Sequence, residues 1–114
     1  AVYQDDASHE VINQYGPVEC SVSATYFGPD PMTDVLYSEV HSAPIGKPHK
    51  WRECYVMSVE GVPELLEQGS EGELWLAGAG LGKGYLNLPE KTASVFVPHP
   101  FRPHDRAYRT GDLV

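Results

Sequence analysis

Two acidic residues stand where a backbone turn would present a carboxylate to a ligand. Glu19 follows the Gly-Pro turn of "NQYGPVE", Asn13 to Glu19, and Asp112 follows the glycine of "YRTGDLV". Surface turns expose an acid that a helix or strand interior would pack away. A carboxylate so presented can hold a magnesium ion or accept two hydrogen bonds from a sugar diol. Taken singly, either acid is better explained as a side chain that faces water.

The other chemistry-bearing stretches are weaker. "GAGLGKGY", Gly78 to Tyr85, suggests a phosphate loop, since glycines let backbone N–H groups approach an anion. A loop with Gly82 and Lys83 as its GK pair needs glycine at 77 and Ser or Thr at 84, where this chain has Ala77 and Gly84. A dinucleotide fingerprint fails at Lys83. A structural bend after a strand is the favoured explanation. His99 and His104 of "HPFRPH" are five apart across two prolines and share no helical ligand face, so this stretch is expected to be a solvated loop. No GxSxG elbow or Cys/His nucleophile arrangement is present.

The elements that must position these residues are mostly short strands. Val11 to Phe27 reads as two strands around the Gly-Pro turn. In its second half Cys20, Val22, Ala24 and Tyr26 alternate with Ser21, Ser23 and Thr25, the period of a half-buried strand. The prolines and glycines of "GPDPMTD" and "APIGKPHK" leave room between them for a short strand at Val35 to Val40. "ECYVMSV", Glu53 to Val59, and "GELWLAG", Gly72 to Gly78, read as strands, separated by a polar-tipped turn. The one helix signal is "LPEKTASVF", with Pro89 at the first helical position, Ala93, Phe96 and Val97 on one face, and Pro98 as its end. Ten prolines and eleven glycines among short strands predict a mainly β fold with little helix, such as a small distorted barrel.

Composition bounds the function. The 114 residues fit one small domain, below the size of most multi-substrate enzymes. Sixteen acids against eight bases give a formal net charge of −8, which disfavours nucleic acid as a partner. Cys20 and Cys54 are far apart and form no CxxC pair, which favours two reduced, buried thiols. No apolar run approaches the ~20 residues of a membrane span, and the N-terminal stretch lacks a signal-peptide pattern. A soluble, cytoplasmic chain without a membrane partner is expected.

Three motifs in order change the weight of the two acids. "NQYGPVE", "GELWLAGAGLGKGYLNLPEKT" and "YRTGDLV" resemble three successive core motifs of the adenylation domains of nonribosomal peptide synthetases, within the superfamily of adenylate-forming enzymes. "PIGKP", Pro44 to Pro48, resembles the segment such proteins carry between the first two. The resemblance covers Val11 to Val114. It implies that Asn13 hydrogen-bonds adenine, that Tyr15 stacks on it, that Asp112 takes the ribose hydroxyls, and that Glu19 helps bind the magnesium accompanying ATP. Gln14, Val22 and Ser23 match positions that line the amino-acid pocket. The glycine-rich segment would be mainly architectural.

One position departs from the pattern. The family usually has threonine before the glutamate, its hydroxyl contacting phosphate, and this chain has Val18. Valine keeps the shape and loses a hydrogen bond worth on the order of 1 kcal/mol. The family's reaction joins a carboxylate to the α-phosphate of ATP, releases pyrophosphate, and passes the acyl group to a phosphopantetheine thiol on a carrier protein. Its Ser/Thr/Gly-rich phosphate loop, amine-binding aspartate and catalytic lysine are not among these residues. The chain is therefore expected to be an internal piece of an adenylation domain, the β-barrel part of the large N-terminal lobe, and inactive alone. The alternatives are an acyl-CoA ligase of the same superfamily and a non-catalytic β-rich nucleotide-binding module.

Overall fold

A computed structural model describes residues 12–28 and 42–114. Three strands, β1 (Asn13–Tyr15), β2 (Thr25–Phe27) and β3 (Lys47–Pro48), form one antiparallel sheet in that order. Four more, β4 (Arg52–Met57), β5 (Glu73–Gly78), β6 (Phe96–Pro98) and β7 (Arg106–Leu113), form a second in the order β4-β5-β7-β6. Among the described residues a single α-helix, α1 (Pro89–Val95), precedes β6. The described residues are mainly β with one α-helix, as the turn-rich composition predicts. The described strands make two open sheets, and no ladder among them closes a barrel. The strand read at Val35 to Val40 lies outside the described residues.

β5 is central and buried on both faces, which is why "LWLA" is continuously apolar. One face carries Leu74 and Leu76, packed with Phe96, Tyr108, Cys20 and Ala24. The other carries Trp75 and Ala77, packed with Met57 and Ala107. Each fully buried large side chain here contributes roughly 1.5–3 kcal/mol. The Gly-Pro turn sits on the first face, so the larger sheet is the platform on which Glu19 is mounted. Both cysteines are free, Cys20 buried and Cys54 half-buried, and burial pushes each thiol up to about 11.

Four local expectations are corrected. The alternation from Cys20 to Tyr26 does not mark one long strand: Val18–Cys20 is a turn of 3-10 helix, Val22 has φ 71° and is exposed, and within β2 Thr25 is buried while Tyr26 is exposed. The cause is Gly16. A Cβ there would lie 2.5 Å from Ala24 N and 2.6 Å from Val22 O, so the turn folds tightly over residues 22–24 and Ala24 N–H reaches Tyr15 O at 2.8 Å. Phe96 and Val97 do not extend the helix. They pair with Tyr108 and Ala107 in β6, and Ala93 is exposed. The "TGD" stretch is not an isolated turn but part of β7.

His99 is the fourth. It is 3% exposed, whereas His104 is exposed. Its Nδ1 accepts the backbone N–H groups of Phe101 and Arg102, each at 3.1 Å, so Nε2 carries the proton toward Glu53 Oε2 at 3.0 Å. Tyr55 and Arg102 donate to the same carboxylate. The Tyr55 hydroxyl first, then His99 and Arg102, outweigh burial and hold the Glu53 carboxyl at about 2 instead of 4.5. Because this pKa is depressed on folding, its stabilisation is present above about pH 4.5 and is lost as pH falls toward 2. The side chain is 33% exposed, so solvent screening reduces the contribution to about 1.5 kcal/mol. Urea unfolding between pH 5 and pH 2 should lose that much less stability in Glu53→Gln than in the native chain; parallel curves would contradict the assignment.

Candidate functional site

The period of two in β1 divides the first motif between two faces. Asn13 and Tyr15 share one face, opposite Phe27 and Thr25, and Gln14 lies on the other, opposite Tyr26. The two residues expected to hold adenine therefore stand together, and Gln14, expected in the amino-acid pocket, is turned away from them. Asn13 donates its amide N–H to Pro44 O at 2.8 Å. This leaves Oδ1, an acceptor suited to an exocyclic amine, without a partner among the described residues.

Tyr15 reaches across the molecule to the third motif. Its hydroxyl donates to Asp112 Oδ2, a contact between residues 97 positions apart. Burial first, and then this bond, push the Tyr15 hydroxyl far above its usual range. Asp112 can be there because β7 is irregular. Trp75 pairs with Arg109 while Glu73 pairs with Leu113, so four residues of β7 advance against two of β5. Gly111, at φ +78°, takes up the difference. Thr110 Oγ1 donates to Leu74 O at 2.7 Å and accepts the Asp112 N–H at 3.0 Å. Glu73 Oε1 accepts the Gly111 N–H at 3.2 Å.

Glu19 lies in the 3-10 turn, half-buried, and its Oε1 accepts the Tyr85 hydroxyl. That bond is the largest reason its carboxyl sits below the usual range. The turn's backbone is tied to the glycine-rich loop. Gly82 N–H donates to Glu19 O at 2.7 Å, and the Ser21 hydroxyl donates to Gly80 O at 2.9 Å. Arg106 donates to Gly82 O and Lys83 O, each at 3.0 Å. Carbonyls bound to arginine, with the Gly82 N–H already committed, describe a loop that braces Glu19. Val18, 83% exposed, presents only methyl groups beside it.

Of the residues expected to line the amino-acid pocket, Gln14 and Val22 are exposed and Ser23 is half-buried. Ser23 Oγ is 2.8 Å from His49 Nε2, and His49 stacks on Tyr26 at 4.8 Å, beside the residue paired with Gln14. Tyr26 and His49 thus link Gln14 to Ser23, a connection the sequence did not announce. Among the described residues no three His, Cys, Asp or Glu side chains cluster around a cation position. A lone carboxylate suits magnesium brought in by a nucleotide, which binds through one or two carboxylates plus phosphates. No helix among the described residues is long and apolar enough to cross a membrane.

The sequence matches a known class. A family described as "AMP-binding enzyme" matches residues 2–86, and the chain belongs to it. The chain is 46% identical over 105 residues to "Novobiocin biosynthesis protein H" of Streptomyces niveus, an alignment covering 91% of this chain and 16% of that protein. It is 45% identical to "Bacitracin synthase 1" of Bacillus licheniformis over 92% of this chain and 2% of that protein, and 45% identical to "Tyrocidine synthase 1" of Brevibacillus parabrevis over 90% and 9%. The resemblance read from the motifs is borne out at the level of the family. Asp112 lies beyond the matched segment, so its assignment rests on "YRTGDLV" and on its contact with Tyr15.

Proposed function

We propose that these residues are the adenosine-holding and cation-holding part of an adenylation domain that activates an amino acid for nonribosomal peptide synthesis. The supporting observation is the contact between Tyr15 and Asp112, which brings together the residues assigned to the base and to the ribose from opposite ends of the chain. Asn13 Oδ1 accepts from the adenine amine, the Tyr15 ring stacks on the base, and Asp112 accepts from the ribose hydroxyls. Glu19 supplies a carboxylate oxygen to magnesium, which when bound neutralises phosphate charge. Gln14, Val22 and Ser23 line the amino-acid pocket. In the parent enzyme the amino-acid carboxylate joins the α-phosphate of ATP and displaces pyrophosphate, and the bound aminoacyl-AMP then yields its acyl group to the phosphopantetheine thiol of a carrier protein, with AMP as the leaving group. The two sheets belong to the β-barrel part of the large N-terminal lobe. The enzyme works in the cytoplasm.

Pyrophosphate exchange tests this reading. The parent enzyme should exchange labelled pyrophosphate into ATP with one amino acid or a few similar ones, while residues 1–114 alone should not. Acyl transfer should go to a carrier protein. Transfer to free coenzyme A with no amino-acid-dependent exchange would place the chain in an acyl-CoA ligase instead.

A further inference from the structure

The glycine-rich segment ends in a tyrosine whose ring packs against the core but whose hydroxyl is explained by neither that packing nor the adenosine contacts. Tyr85 is half-buried in the loop before α1, and its hydroxyl crosses to Glu19, 66 positions away. We propose that Tyr85 is a positioning residue for the cation-binding carboxylate: by occupying Glu19 Oε1 it fixes the rotamer in which the remaining lone pairs meet a nucleotide-bound divalent cation. The inference rests on the metal role given to Glu19 above.

The geometry is that of a mount. Tyr85 N–H donates to Thr92 Oγ1 at 2.8 Å. Lys91 Nζ lies over the Tyr85 ring at 4.5 Å from its centroid, and Phe96 meets the ring edge-on at 6.0 Å. Helix α1 and β6 therefore hold the ring, and the ring holds the acid. Tyr108 of β7 packs on Phe96 in turn, at 5.1 Å between ring centroids. A free glutamate samples several rotamers and must lose that freedom to bind an ion, whereas a glutamate anchored through one oxygen has already lost it. A carboxylate keeps acceptor capacity after taking one hydroxyl, so anchoring and metal binding are compatible. Partners that orient metal ligands are typically worth 10–100-fold in metal affinity.

Manganese serves as the probe, bound to the parent enzyme with ATP and titrated by electron paramagnetic resonance, with adenosine affinity measured separately without metal. Tyr85→Phe keeps the ring and its packing and should weaken manganese binding about tenfold while leaving adenosine affinity unchanged. Glu19→Gln should weaken manganese at least as much, and Tyr85→Phe should add nothing in that background. Thr92→Val, which removes the acceptor of the Tyr85 N–H and keeps the Tyr85 hydroxyl, should act in the same direction but less. Unchanged manganese binding in Tyr85→Phe alongside weakened binding in Glu19→Gln would overturn the role of Tyr85 and leave the metal assignment standing. Unchanged binding in Glu19→Gln would overturn the metal assignment itself. Equal loss of manganese and adenosine affinity in Tyr85→Phe would reduce Tyr85 to a structural residue and overturn the proposal.

Discussion

Replacing Asp112 by alanine should lower kcat/KM for ATP in the parent enzyme about a hundredfold. A hydrogen bond to a charged acceptor is worth roughly 1.5–3 kcal/mol. Two ribose hydroxyls sharing one carboxylate therefore account for about 3 kcal/mol, or two powers of ten. The neighbouring Tyr15→Phe change isolates the support from the contact. It keeps the stacking face and removes only the hydroxyl that holds Asp112 Oδ2, so its cost should be about tenfold or less. Because the two residues touch, the double variant should fall well short of the product of the single effects. Steady-state kinetics against ATP, with AMP affinity by titration, decide the matter. Equal penalties for Asp112→Ala and Tyr15→Phe would show that Asp112 acts only on Tyr15 and not on the nucleotide.

The acids themselves were legible because glycine turns and motif order flag them without any knowledge of the fold. Asn13, Tyr15, Glu19 and Asp112 could be named from short stretches, and β4 and β5 from their β-branched and aromatic content. What holds those residues could not be named so easily. Tyr85 meets Glu19 from 66 positions away and Glu73 meets Arg109 from 36 away, and no local pattern encodes such a distance. β7 was hidden for a different reason. Its Gly111 reads as punctuation, yet in a bulged strand the same glycine lets pairing continue past it. Phe96 and Val97 fit a helical face by spacing, but pairing with Tyr108 and Ala107 overrides that preference. His99 sits between prolines that suggest a loop, and only the fold reveals that two backbone N–H groups and Glu53 use both ring nitrogens.

The contact between Glu73 and Arg109 should carry the largest stability effect. Arg109 donates to Glu73 through Nε at 3.2 Å and Nη2 at 2.8 Å, and its guanidinium lies 5.5 Å from the Trp75 ring centroid. Burial raises the Glu73 pKa, but the hydrogen bonds, above all those of Arg109, more than offset this and leave the carboxyl below its usual range. The pair is asymmetric, with the Glu73 side chain 6% exposed and that of Arg109 41% exposed. Removing the arginine therefore strands a buried charge, whereas removing the acid frees a cation that can turn to water. Arg109→Leu should cost about 3 kcal/mol at pH 7 and Glu73→Gln about 1 kcal/mol. The difference should also depend on pH. Without Arg109 the folded-state pKa of Glu73 rises above its unfolded value, so the variant regains stability as pH falls and the acid protonates. In the native chain that pKa is depressed, so stability is lost over the same range. The two curves should converge toward pH 4 in urea unfolding followed by tryptophan fluorescence. A constant gap, or a larger cost for Glu73→Gln, would refute the account. The same carboxylate also receives the Gly111 N–H, so the buried pair that stabilises the sheet supports the bulge that presents Asp112. Arg109→Leu should thus weaken nucleotide binding even at temperatures where the fold survives.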